Sequence, residues 1–236
     1  MKRKVATFNV LADSYWKNGD YSHVAPSLAV AGARIPHLLR LITSLDADVI
    51  ALQEVELPLM AALNATNLWQ LFWAPKASND PDGCLMLVKH GIDTMPATVH
   101  AYRDGSGHVI QTVVVEDVPV VNTHLLYAEA DQLPHPGLLQ AEELLQQLGD
   151  SPAVILTDSN DRPGGPVRAL LRESGFTNVC GDRPTAWVNQ KPASLDLITV
   201  RGVNAKLVKP QYSPQGIPSS DCPSDHIPMM AFVSTS

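Results

Sequence analysis

The chain has 236 residues, 45% of them hydrophobic and 17% charged, with 17 basic against 24 acidic residues and a net charge of −7. That length buries one large core, so a single domain is expected, and no apolar run is long enough to cross a membrane as a helix. The acidic balance counts against a broad electrostatic grip on nucleic acid, but it leaves room for a metal centre, where carboxylates concentrate and a cation offsets them.

"KVATFNVL", Lys4 to Leu11, alternates and reads as a strand. The basic start Met1-Lys2-Arg3-Lys4 has no sustained apolar stretch after it, which argues against a secretory signal. Beyond a polar loop, Ile35, Leu38, Leu39, Ile42 and Leu45 have helical spacing, with Pro36 acceptable in the first turn. "ADVIALQE" is a short apolar run suited to a strand buried on both faces, and Leu57 to Leu68 reads as a short helix. "GCLMLVKH" is the next strand, and Tyr102 to Glu116 reads as a hairpin around "RDGSG". "VPVVNTHLL" is a strand, Leu138 to Leu148 a helix, and "PAVILTDSN" a strand that ends in polar residues. A helix opens at Gly165-Pro166, and "SLDLITV" and "HIPMMAFV" complete the strands. The Pro- and Ser-rich stretch from Lys209 to Ser224 is expected to be a loop lying over something. Strands interleaved with helices, plus a hairpin, indicate a layered α/β domain with mixed sheets.

Cys84, Cys180 and Cys222 are far apart with no C-x-x-C spacing, which indicates neither a disulfide framework nor a zinc site and fits a reducing cytoplasm. "GSGH" has no helix after it and is no nucleotide loop, and the histidines form no H-E-x-x-H pattern.

The polar residues carry the chemistry. Asn9 lies inside the first apolar run, Glu54 ends "VIALQE" and His124 ends "VVNTH". Asp158 and Asn160 end "VILTDSN", Asp196 interrupts "SLDLITV", and Asp225-His226 opens the last strand. A polar residue at one strand end is ordinarily a turn former. Repetition along so many strands implies convergence on one sheet edge. Such a cluster offers carboxylates, amides and imidazoles without thiolate, a donor set for Mg²⁺ or Mn²⁺ rather than zinc. That metal beside amides and histidines suits the anionic oxygens of a phosphate ester, so metal-assisted phosphoester hydrolysis is expected.

"TFNVLADSY", "ADVIALQEVE", "DGC", "NTHLLY", "TDSN", "SLDLI" and "PSDHIP", in this order, resemble the endonuclease/exonuclease/phosphatase superfamily of magnesium-dependent phosphoesterases. The wording is most similar to the branch holding the deadenylases, nocturnin, angel proteins and 2′-phosphodiesterases. The resemblance implies one catalytic domain over residues 1–236, a DNase I-like four-layer α/β sandwich with two packed mixed sheets flanked by helices. It implies Glu54 as principal metal ligand, with Asn9 a supporting amide and Asp225 near the metal. Asp158 would orient or activate water, Asn160 contact phosphate, His124 bind a phosphate oxygen, and His226 act in catalysis held by Asp196. Where the family has Gly before the aspartate, this chain has Thr157, and the acidic partner of His124 is open, with Glu116 and Glu129 as candidates.

The implied activity is Mg²⁺- or Mn²⁺-dependent phosphodiester hydrolysis in RNA or oligonucleotides, 3′-exoribonuclease-like, by a cytoplasmic monomer that does not engage membranes. The alternatives share the metal centre and differ in the rim: a phosphomonoesterase on a nucleotide, dinucleotide or phosphoinositide, or a DNA-end phosphodiesterase of the same fold. Arg183, Trp187 and Tyr212 are candidates for base stacking and phosphate contact, and Arg162, with Arg168 and Arg172, for a basic rim beside Asn160.

Overall fold

The structure, a computed structural model, describes residues 2–129 and 132–235. In chain order its elements are β1 (Lys2–Asn9), α1 (Ile35–Ser44), β2 (Val49–Glu56), α2 (Leu57–Ala65), β3 (Trp69–Pro75) and β4 (Asp82–Lys89). There follow β5 (Thr98–Ala101), β6 (Val109–Val115), β7 (Val118–His124), α3 (Pro136–Leu148), β8 (Ala153–Asp158) and α4 (Pro166–Glu173). The last are β9 (Thr177–Asn178), β10 (Ala186–Val188), β11 (Lys191–Ala193), β12 (Asp196–Arg201), β13 (Asn204–Val208) and β14 (Met229–Ser234).

The long strands form two six-stranded sheets, ordered β13-β14-β1-β2-β4-β3 and β5-β6-β7-β8-β12-β9, while β10 and β11 make a separate small hairpin. Both large sheets are mixed, because β1–β2 and β7–β8 are parallel while their other neighbours are antiparallel. Each parallel step is made through a helix whose apolar stripe packs on the sheet. Leu38, Leu41 and Ile42 of α1 join the core of the first sheet, and Ala141 and Leu144 of α3 join that of the second. The result is the expected four-layer sandwich, with two sheets inside and helices on both outer faces.

The inter-sheet core is not wholly apolar. Gln53 Nε2 donates to Asn122 Oδ1 at 2.8 Å and to Thr7 Oγ1 at 3.1 Å. Asn122 Nδ2 in turn donates to Leu52 O at 3.0 Å and Gln111 Oε1 at 3.1 Å, and Gln111 Nε2 reaches Phe72 O at 2.7 Å. All four side chains are fully buried. This amide chain stitches β2 to β7 and β6 directly beneath Glu54, and every member has partners, which is what makes its burial tolerable.

Several elements differ from expectation. β3 was not anticipated, because "WQLFWAP" buries its side chains only partly and shows no clear alternation. It lies so close to β4 that a Cβ on Gly83 would come within 2.4 Å of Ala74 O, which accounts for glycine in "DGC". The expected hairpin starts earlier, at Thr98, because Tyr102 N bonds His108 O and closes a wider loop. The 209–224 stretch has no strand or helix, as expected. Cys84, Cys180 and Cys222 are free and buried.

Candidate active site

Register assembles half of the site. Across β7, β8 and β12 the Cα partners of Asp158 are His124 on one side and Asp196 on the other. In the other sheet Asn9 is level with Gln53, one residue before Glu54. Regular pleating would turn Glu54 to the same side as Leu52. Instead the β2–β4 register shifts between Leu52 and Val55, and Glu54 takes φ 58°, a left-handed conformation that is uncommon for a residue carrying a Cβ. The bulge re-aims the carboxylate at the facing sheet, a known use of such irregularities.

The two halves meet through Asn9. Its Nδ2 donates to Glu54 Oε1 at 2.8 Å and to Asp158 Oδ2 at 2.9 Å, while its Oδ1 accepts from Leu11 N. Asn9 is buried, and through its amide nitrogen it braces the two carboxylates as a supporting amide. Ala12 N bonds Glu54 Oε2 at 3.0 Å and fixes the other side of that carboxylate.

Asp158 Oδ2 lies 3.6 Å from His124 Nε2 and 3.7 Å from His226 Nε2. His226 Nδ1 is 2.9 Å from Asp196 Oδ2, so the imidazole is oriented by one buried carboxylate and faces another. Asn160 Nδ2 sits 2.9 Å from His124 Nε2 and donates to Leu125 O, and Asn160 N donates to Asp158 Oδ1 at 3.0 Å. The Thr157 hydroxyl donates to Asp158 O at 2.9 Å within the buried strand.

Charge follows from this geometry. Burial alone would raise the Asp158 carboxyl, but the His226 and His124 imidazoles and its hydrogen bonds outweigh that and hold it below the usual carboxylate range. Burial works against the His226 cation, yet Asp196, Asp158 and Asp225 push its pKa well above that of a free imidazole. Burial raises Asp196 as well; with Nδ1 so close to Asp196 and Nε2 facing Asp158, the imidazole is the better holder of the proton. Glu54 is raised, first by burial and further by Asp225, against the opposing pull of His124.

Asp225 is anchored by Tyr21, whose hydroxyl donates to Oδ2 at 2.7 Å, while Oδ1 is buried with no hydrogen-bond partner among the described residues. An unpartnered carboxylate oxygen near a second, half-buried carboxylate fits a hard divalent cation, so Glu54 and Asp225 form a donor pair by their chemistry. Asp158, Asp196 and His226 also bring ligand atoms within 4.8 Å of one another. That trio is better described as an oriented imidazole between two carboxylates, since His226 Nδ1 is engaged by Asp196.

Glu54, His124, Asp158, Asn160, Asp225 and His226 floor an open cleft of about 940 Å³ whose wall includes Tyr15, Lys76, His108, Tyr127, Arg162 and Trp187, with Asp196 buried behind His226. Trp187 N bonds Asp225 O, and Ile227 N bonds Thr185 O, so the small hairpin is tied to the Asp225-His226 segment. Trp187 and Arg162 both line this cleft. Arg183 and Tyr212 do not: Arg183 Nε is held by Cys180 O, and Tyr212 packs on the main core, away from the cleft. Arg168 is no rim cation either, since its guanidinium is held by Asp161 O and Ser194. Glu116 is removed from His124 altogether, being paired with Arg3, and the acids nearest His124 are Glu54 and Asp158.

Sequence reasoning missed two supports. Buried Arg34 donates to Val10 O, Leu11 O and Pro223 O and pairs with Asp13 at 2.6 Å, which clamps the loop after β1 to the segment leading into Asp225. Lys76, Asp82 and Tyr15 form a second cluster, with Lys76 Nζ 3.1 Å from Asp82 and 2.9 Å from the Tyr15 hydroxyl. Their partners come from distant segments, so no local pattern announces them.

The family model described as "Endonuclease/Exonuclease/phosphatase family" matches residues 6–226. The human protein angel homolog 2 is 25% identical over 203 residues, covering 72% of this chain and 36% of that protein. The bovine protein of the same name is 24% identical over 204 residues with the same coverage, 72% and 36%. The match thus spans about a third of these relatives' length. Among solved structures, ANGEL2, a 2′,3′-cyclic phosphatase, in complex with adenosine-2′,3′-vanadate, superposes with TM-score 0.82 at 17% identity, covering 100% of this chain and 96% of that one. The human Nocturnin catalytic domain with bound sulfate anion gives TM-score 0.73 at 18% identity, covering 100% and 94%. Truncated TDP2 of Caenorhabditis elegans gives 0.66 at 16%, covering 100% and 98%. At such identities the superpositions establish a common fold.

Proposed function

The chain belongs to the Endonuclease/Exonuclease/phosphatase family of phosphoesterases, whose members generally depend on a divalent metal, and on that premise we propose that it hydrolyses phosphodiester bonds in RNA or in RNA-derived nucleotides with Mg²⁺ or Mn²⁺. One observation carries the reading: His124, Asn160, Asp158 and His226 line one cleft floor together with the carboxylates of Glu54 and Asp225. A cation held by Glu54 and Asp225 would supply charge stabilisation at a non-bridging phosphate oxygen.

The chain's own groups account for the rest. Ionised Asp158 accepts a proton from the attacking water as the water oxygen bonds to phosphorus. Protonated His226 donates to the oxygens on which negative charge grows; His124 and Asn160, paired with each other in this structure, would join it when a phosphate oxygen takes the place of that contact, and fixed positions are what makes such stabilisation effective. Asp196 holds the His226 ring and supports its charge. The ester P–O bond breaks, the leaving alkoxide takes a proton from solvent to depart as an alcohol, and Asp158 returns to solvent the proton it received.

A 3′-terminal bond is the preferred target, in keeping with the branch the motifs resemble. The superposition over the whole chain on ANGEL2 supports a cyclic 2′,3′-phosphodiester as a form of that target. The test is product analysis of a labelled oligoribonucleotide, with and without a 2′,3′-cyclic phosphate end, in Mg²⁺, in Mn²⁺ and in excess chelator. Metal-dependent release of nucleotides, or opening of the cyclic end, is expected. Equal turnover in chelator, or no turnover of any phosphodiester, would overturn the reading.

A further inference from the structure

The charge around the cleft mouth differs from the charge on its floor. Asp20, Asp80 and Glu129 line the cleft and are exposed. Arg162 is the exposed cation among the described lining residues, and its side chain makes no hydrogen bond or ion pair among them. The other lining cation, Lys76, is only 7% exposed and is spent on Asp82 and Tyr15. The rim thus presents three carboxylates against one free guanidinium, on a protein of net charge −7.

A groove that follows a polynucleotide backbone requires the opposite pattern, a row of cations that release counterions as each phosphate docks. Here a second or third phosphate leaving the floor would pass a rim that carries three carboxylates and one free cation. By contrast the walls offer aromatic and apolar surface from Tyr127, Leu126 and Trp187, suited to one base and its sugar.

We infer that the cleft engages a single nucleotide, with the reacting phosphate as the one phosphate it holds, so that the substrate is a free nucleotide or the last residue of a chain whose remainder stays in solvent. This rests on the phosphoesterase reading and narrows its substrate.

The experiment compares kcat/KM for a nucleoside 2′,3′-cyclic monophosphate, a dinucleotide and a chain of about 20 nucleotides, each across a KCl series. A cleft that holds one phosphate gives kcat/KM within about threefold between the dinucleotide and the long chain, with a common log–log salt slope near about −0.7. Turnover of the cyclic monophosphate separates free nucleotides from chain ends as the source. The variant Asp20→Asn/Asp80→Asn/Glu129→Gln, which leaves the floor intact, should gain about fivefold or more on the long chain at low salt while changing less than about twofold on the dinucleotide. A long chain turned over more than about tenfold better than the dinucleotide, with a slope steepening by one or more, would overturn the inference while leaving the hydrolase reading in place. Should no substrate turn over, the hydrolase reading fails; anisotropy of the labelled long chain then decides the inference, since tight, salt-sensitive binding contradicts it and weak binding equal to that of the mononucleotide supports it.

Discussion

Replacing Asn122 with leucine probes the buried amide chain that joins the two sheets under the site. The substitution removes the Asn122 partner of Leu52 O and of Gln111 Oε1 and leaves Gln53 Nε2 with Thr7 Oγ1 alone, all in a region closed to water. An orphaned buried polar group costs about 1–3 kcal/mol, so two of them cost about 2–6 kcal/mol before relaxation. The added apolar burial returns about 1–2 kcal/mol. A net loss of about 2–3 kcal/mol is therefore expected, a large share of the ~5–15 kcal/mol that holds such a domain together. Urea unfolding followed by circular dichroism measures it, provided the slope m is unchanged between the proteins. Adding Gln53→Leu should recover part of the loss, because the second change removes one of the stranded partners, giving a coupling of about 1–3 kcal/mol. A loss below about 1 kcal/mol for Asn122→Leu, or strict additivity of the pair, would refute the idea that these amides act as one network.

Other outcomes follow from the same geometry. Asp196→Asn should preserve the fold and lower kcat by about 10²–10⁴ with KM little changed, since it removes the charge that supports His226 rather than a contact to substrate; steady-state kinetics and a thermal melt check both halves. Arg34→Met, which unclamps Val10, Leu11 and Pro223, should cost about 3 kcal/mol or more in urea unfolding by stranding Asp13 and buried carbonyls. Mg²⁺ at about 100 times its Kd should stabilise the wild-type protein by about 2.7 kcal/mol in calorimetry, and Glu54→Gln should lose most of that gain. His108, a cleft-wall imidazole whose Nδ1 lies 2.6 Å from His124 O, is pushed down to about 4, first by burial and then by His124 and Lys76. The unfolded chain binds this proton near pH 6.5 and the folded chain only near 4, so stability is full above about 6.5 and falls by at most about 3 kcal/mol towards pH 4. Denaturant melts over that range, with His108→Gln lacking this component of the pH dependence, test the sign.

The sequence made the floor of the site legible because its residues are expensive where they stand. Asp158, His124 and Asp196 interrupt apolar runs that can only be buried strands, and three neighbouring strands place them in register. What lay outside reach depended on contacts between distant segments. Nothing near Arg34 announces that its guanidinium binds carbonyls of two segments far apart in the chain, after β1 and before Asp225, and nothing in "APK" reveals that Lys76 faces Asp82 and Tyr15. Gln53 was visible as a polar residue at a strand end, but its role depends on Asn122 from the other sheet. Arg183 and Tyr212 went astray for a related reason: loop composition indicates that a side chain is available, while the path of the loop decides whether it turns to the cleft or to Cys180 O and the core.

The central claim, that this cleft floor hydrolyses phosphodiesters, is tested most directly by turnover of a labelled oligoribonucleotide in Mg²⁺ by the wild-type protein, Asp158→Asn and His226→Ala, with circular dichroism on the same samples. The geometry predicts native spectra for all three and rates lower by about 10³-fold or more in both variants, the scale expected when a base or a charge-stabilising donor is removed from a preorganised site. Wild-type rates in either correctly folded variant would contradict it.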